Sequence, residues 1–121
     1  MNQEIKAQWI TALRSGDYRQ GQGALRRKTD GEDTFCCLGV LCELAVEAGV
    51  IEAPKYSTTG VWGYGAPAHM GATSVLPMEV QEWSGVDSCG MFGGVVECSL
   101  TELNDNGTVF SRIADVIEAK F

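Results

Sequence analysis

Arg14, Arg19, Arg26, Arg27 and Lys28 fall within fifteen residues, and Gly16, Gly21 and Gly23 punctuate the same stretch. Guanidinium forks match the spacing of phosphate oxygens, and glycine lets backbone N–H groups come close to an anion. Asp17 is the one carboxylate among residues 14–28, so the segment sums to +4 and leaves −11 for the rest of a chain with formal net charge −7. The chemistry this pattern points to is capture of a small anion. Arg19, Arg26 and Arg27 would hold phosphates, with Gln20 and Gly21 beside them. The competing reading is a solvated hairpin whose arginines pair with nearby carboxylates, an arrangement that contributes little. As a phosphate motif the segment is unspecific, because GxxxxGK[ST] is absent.

Trp62 and Tyr64, one residue apart, would share a strand face between small residues and could offer a flat platform to a nucleobase; core or edge packing is the alternative. Leu103-Asn104-Asp105-Asn106-Gly107 reads as an Asx-type turn into a final helix, with Asn104 or Asn106 a candidate for the edge of a base. The alternating acids and terminal glutamate of a calcium loop are missing. Cys36, Cys37, Cys42, Cys89 and Cys98 form no CxxC pair, and His69 has no partner at ligand spacing, so the cysteines read as small apolar side chains in a reducing compartment. Neither GxSxG nor HExxH occurs. No catalytic residue, metal or cofactor is expected.

These groups must be positioned by a single domain spanning residues 1–121. Ile5, Trp9, Ala12 and Leu13 make one apolar stripe, predicting a helix from Asn2, its cap, to Ser15. Asp30-Gly31 predicts a hairpin turn between strands 24–28 and 33–36. Cys37 to Gly49 predicts a second, widely apolar and therefore buried helix. Residues 50–75 are rich in Gly, Ala, Pro, Ser and Thr and give the weakest periodicity. Pro77 would be the first position of a short helix stopped by Gly85. Gly93-Gly94 suggests a second hairpin, between Met91-Phe92 and Val95–Cys98, and a helix capped by Thr108 closes the chain. The expected class is α+β, with N- and C-terminal helices, a central buried helix and short antiparallel β hairpins.

No apolar run reaches the roughly 20 residues of a membrane span. The first residues lack the basic-then-apolar layout of a signal peptide, so the expected location is a cytoplasm. Five cations on an acidic chain cover too little for duplex nucleic acid but enough for one small molecule. A chain of 121 residues encloses little volume alone, which favours a pocket shared in a homo-oligomer.

Three stretches, ALRSGDYRQGQGALR at 12–26, FCCLGVLCELA at 35–45 and LNDNGTVFSRIADVIE at 103–118, occur in order with LPMEVQEW at 76–83 between them. Together they resemble a widespread family of small proteins encoded by bacteriophages and prophages, and the resemblance covers nearly the whole chain. It implies a phage protein acting in the cytoplasm of a bacterial host, and it maps no catalytic residues here. Small phage proteins of this kind often work by binding, and some sequester the cyclic nucleotides or ADP-ribose-derived signals of host immunity. By that analogy of context, the expected function is an anti-defence sponge that holds a nucleotide-derived anion without cleaving it. An inhibitor docking a host enzyme through acidic residues such as Glu43, Glu47 and Glu118 is the alternative, and a nucleotide-modifying enzyme a third.

Overall fold

Asn2 begins the first helix as its side chain allows. In a computed structural model, which describes residues 1–65, 72–93 and 98–121, its Oδ1 accepts from the N–H groups of Glu4 and Ile5 at 2.9 and 3.1 Å. Helix α1 (Gln3–Arg14) buries Ile5, Trp9 and Leu13, and Gly16 leaves it at φ +80°. A hairpin follows, strands β1 (Arg26–Thr29) and β2 (Glu32–Phe35), paired from Arg26–Phe35 to Thr29–Glu32. Its turn is Asp30-Gly31 with φ +51° and +81°, the two positive values that a type I′ turn needs.

Helix α2 (Cys37–Glu47) is the centre of the core: Cys37 through Cys42, and Ala45, are buried. It is flanked by α1, whose Trp9 donates its indole N–H to the Cys37 carbonyl at 2.9 Å. One close approach fixes the hairpin against this helix. A Cβ on Gly39 would fall on the Leu25 carbonyl oxygen, so backbone meets backbone there. Leu25 is fully buried at that contact, directly before Arg26.

A second ribbon, β3 (Lys55–Tyr56) and β4 (Trp62–Gly63), pairs Lys55 with Gly63 and Tyr56 with Trp62. An antiparallel bridge between Arg27 and Val61, with Lys28 N–H donating to the Gly60 carbonyl at 2.9 Å, joins it to β1. Helix α3 (Met78–Ser84) is stopped by Gly85 at φ +81°; Pro77 occupies the cap and not the first helical position. Strands β5 (Met91–Phe92) and β6 (Cys98–Ser99) pair antiparallel, while His69 and Val95 to Glu97 lie outside the described residues.

The C-terminal region departs from expectation. Where an Asx turn was expected, a short helix α4 (Leu100–Asp105) forms, capped by Ser99, whose side chain accepts from Glu102 N–H at 3.1 Å. Helix α5 (Phe110–Lys120) starts from Val109 and not Thr108. Gln20 supplies the missing side-chain cap from elsewhere in the chain, its Oε1 accepting from Phe110 N–H at 3.1 Å. The architecture is α+β, with helices at both ends and two-stranded antiparallel ribbons between them.

Gly39→Ala tests the central contact. Helix propensity alone would favour alanine by about 1 kcal/mol, whereas overpacking against an immovable carbonyl costs about 1–3 kcal/mol or more. The expected outcome in urea denaturation is a net destabilisation of about 2 kcal/mol.

Candidate functional site

Side chains alternate along a strand, so the adjacent arginines of β1 part company. Arg26 turns towards α2 and Trp62. Arg27 lies over Gly23 on the opposite face, where an added Cβ would stand 3.7 Å from its guanidinium. Arg19 pairs with Glu32 on the exposed surface. Arg14 lies at the other end of the segment, bound to Asp115 at 2.7 Å and Glu118 at 3.2 Å. Arg27 makes no ion pair among the described residues. The three guanidinium groups of Arg19, Arg26 and Arg27 therefore do not meet at one concave spot, which is what holding a phosphate would require.

Arg26 sits in a largely enclosed cluster. It donates to Asp33 Oδ2 at 2.6 Å, lies 3.6 Å from Glu43 Oε2, and stacks over the Trp62 ring at 4.1 Å and the Phe35 ring at 5.3 Å. Tyr64, fully buried, donates its hydroxyl to the same Glu43 oxygen at 2.6 Å. Burial first, and then Glu43, push the Tyr64 phenol far up, so it stays a neutral donor. The Arg26 hydrogen bond holds the Asp33 carboxyl below the usual range, with Lys28 and the Trp62 indole adding to it. Trp62 Nε1 does not meet hydrogen-bond geometry, and neither do Arg26 Nε and Asp33 Oδ1. Trp62 and Tyr64 are thus part of the clamp on Arg26, and the Tyr64 ring is closed to a stacked base.

Gln20, Gly21 and Asn104 form a different structure, a joint between distant parts of the chain. Asn104 is fully buried on α4. Its Nδ2 donates to the Gly21 carbonyl at 2.8 Å, while its Oδ1 accepts from Gln20 Nε2 at 3.0 Å and from Cys37 N–H at 3.2 Å. Cys37 opens α2, so this amide serves one of the orphan donors at that helix start. Gly21 N–H donates to the Phe35 carbonyl at 2.7 Å, and a Cβ at Gly21 would overlap Thr34 Oγ1. Each of these residues is engaged with the protein's own backbone. The Ser99–Glu102 spacing, an S-x-x-E capping signature, was the sequence signal for the helix that buries Asn104.

Among the described residues, two concavities bear on binding. One, about 320 Å³, lies behind β3–β4 and is lined by Ile51, Glu52, Lys55, Gly63, Gly65 and Glu79, a mixed set of charges. The other is an open groove of about 550 Å³ between α1 and α2. Half-buried Ala12, Tyr18 and Leu44 line its floor and exposed Asp17 and Glu47 its rim. Burial first, and then Glu47, Glu43 and Asp17, raise the Tyr18 phenol. The cations of α1 face away: Lys6 Nζ donates to the Glu118 carbonyl at 3.1 Å, and Arg14 holds Asp115 and Glu118 on α5.

The thiols offer no reactive centre at the core. Burial drives Cys36 up to about 11 and Cys37 and Cys42 well above the ordinary value. Among the described residues no three His, Cys, Asp or Glu side chains group so as to hold a metal, and no helix is long and apolar enough to cross a membrane. The family model described as Domain of unknown function (DUF8296) matches residues 1–121, and the chain belongs to that family. No curated protein and no solved structure matches it.

The Arg26–Asp33 pair gives a pH signature. A carboxyl held low in the folded state contributes stability that is present above its unfolded value and lost as pH falls through the folded one. Asp33→Asn should therefore be less stable than the native chain by about 1.5 kcal/mol at neutral pH. Denaturation midpoints followed downward in pH should converge below about pH 4, where the native carboxyl protonates as well.

Proposed function

We propose that this member of the DUF8296 family is a binding protein without catalytic machinery, and that it docks a protein partner in the groove between α1 and α2. The single observation that carries the reading is the groove's construction: an apolar floor under a rim of one charge sign. Lys6 and Arg14, the cations of α1, are turned to α5, so nothing on that helix neutralises Asp17 and Glu47. Charge complementarity then defines the occupant as a basic, amphipathic segment of the partner, apolar on one side and rich in lysine or arginine on the other. In the phage setting that the sequence resemblance implies, that partner is a host protein.

Of the acidic residues expected to dock, Glu47 lies on the rim and makes no ion pair among the described residues. Glu43 is engaged by Tyr64 and Arg26, and Glu118 by Arg14, so each is part of the fold's own pairing. The competing reading, a phosphate held by the arginine-rich segment, lacks support in the geometry, because Arg19 and Arg26 are already neutralised by carboxylates.

A helical peptide of about 14 residues, leucine on one face and lysine on the other, spans the groove's three or so turns. Fluorescence anisotropy should give a Kd in the micromolar range, and a matched Leu/Glu peptide should not bind. The Asp17→Lys/Glu47→Lys double variant should bind at least about tenfold more weakly, while the remote Glu82→Lys variant behaves as the native protein. Equal binding of both peptides, or indifference to the rim charges, would sink the reading.

A further inference from the structure

One face of the joined ribbons runs from core to solvent. Phe35 and Tyr64 are buried at its inner end, Arg26, Asp33 and Trp62 occupy the middle, and Lys28 and Tyr56 lie at the outer end. Tyr56 is 50% exposed, whereas Phe35 and Tyr64 are buried and Trp62 is half-buried. Its ring is not loose. Trp62 packs against it at 4.9 Å with a 57° tilt, and Trp62 is itself backed by the Arg26 guanidinium at 4.1 Å. The Lys28 ammonium stands 5.4 Å from the centre of the Tyr56 ring.

The state of that lysine is the telling feature. In a chain with 16 acidic and 9 basic residues, three of the cations on the arginine-rich segment have found carboxylates. Lys28 has none among the described residues. Asp33, its cross-strand partner, is held by Arg26, and Glu32 is held by Arg19. A half-exposed aromatic ring, with Trp62 packed against it and, over it, an ammonium that no carboxylate holds among the described residues, offers stacking and charge together.

We infer that Tyr56 and Lys28 form a binding site for a planar ring bearing an anionic group, that is, a small nucleotide. The base lies against the exposed part of Tyr56 and its phosphate beside Lys28. The ligand would touch neither Arg19 nor Arg26, and the proposal is independent of the groove. The chain's net charge of −7 disfavours an extended polyanion, so the ligand is a mono- or dinucleotide and not a nucleic-acid strand.

Titration calorimetry and saturation-transfer NMR with adenosine monophosphate and cyclic di-adenosine monophosphate test this directly, with adenosine, inorganic phosphate and a short oligodeoxyadenylate as comparators. The expected result is that at least one of the two nucleotides binds with a Kd below about 1 mM, and that adenosine and phosphate each bind at least about tenfold more weakly. Tyr56→Ala and Lys28→Gln should each weaken nucleotide binding about tenfold with unchanged thermal melting, and Tyr56→Phe should retain it. Absence of nucleotide binding by the folded native protein would overturn the inference. So would equal affinity for adenosine and its monophosphate, indifference to either substitution, or a preference for the oligodeoxyadenylate.

Discussion

The contact between Gly39 of α2 and the Leu25 carbonyl governs much that follows. It brings two backbones together without an intervening side chain, and such an approach has little slack. Because Leu25 is pinned there, the strand beginning at Arg26 has a fixed rotation. Arg26 must look towards α2, and Arg27 must look away. The enclosure of Arg26, the neutralisation of Glu43 and the orientation of Tyr64 all descend from that placement.

Charge is used economically in this molecule. Arg14 ties α1 to α5, Arg19 braces the hairpin strand at Glu32, and Arg26 is held between two carboxylates and two aromatic rings. The exposed pairs contribute little each, whereas removing one partner from the enclosed cluster would strand the other charges. A sequence that concentrates cations in one segment has thereby spread them over three separate joints. Outside those joints lie the acidic rim of the α1/α2 groove, Arg27, and the Lys28–Tyr56 end of the ribbons, and the two proposals rest on the first and the last of these.

The sequence made local structure legible and pairing illegible. Asn2, Asp30-Gly31 and Gly85 each act through their own backbone neighbours, so their roles could be read directly. Residues whose function depends on a distant partner could not be placed that way. Gln20 resembles a polar loop residue until Phe110 is beside it, and Asn104 resembles a turn residue until Gly21 and Cys37 approach. Two signals were present but weak. Ser99-Leu-Thr-Glu102 marks the start of α4, and Thr58-Thr59-Gly60 between Tyr56 and Trp62 marks a turn that makes those two rings neighbours. Tyr64 follows the same alternation as Trp62, but only the packing of α2 above it decides that its ring is covered.

The joint made by Gln20, Gly21, Gln22 and Asn104 also bears on how the chain comes to be made. The hydrogen bonds of Gln20, Gly21 and Gln22 to Asn104 and Phe110 connect positions separated by 82 to 90 residues. On a ribosome the segment around Gln20 emerges well before its partners, which are synthesised 83 to 90 residues later. During that interval the N–H of Cys37 and the start of the buried helix have no lasting acceptor from this source. Closure of this joint therefore waits for α4 and α5, and until they are made the nascent segment is open to aggregation or proteolysis.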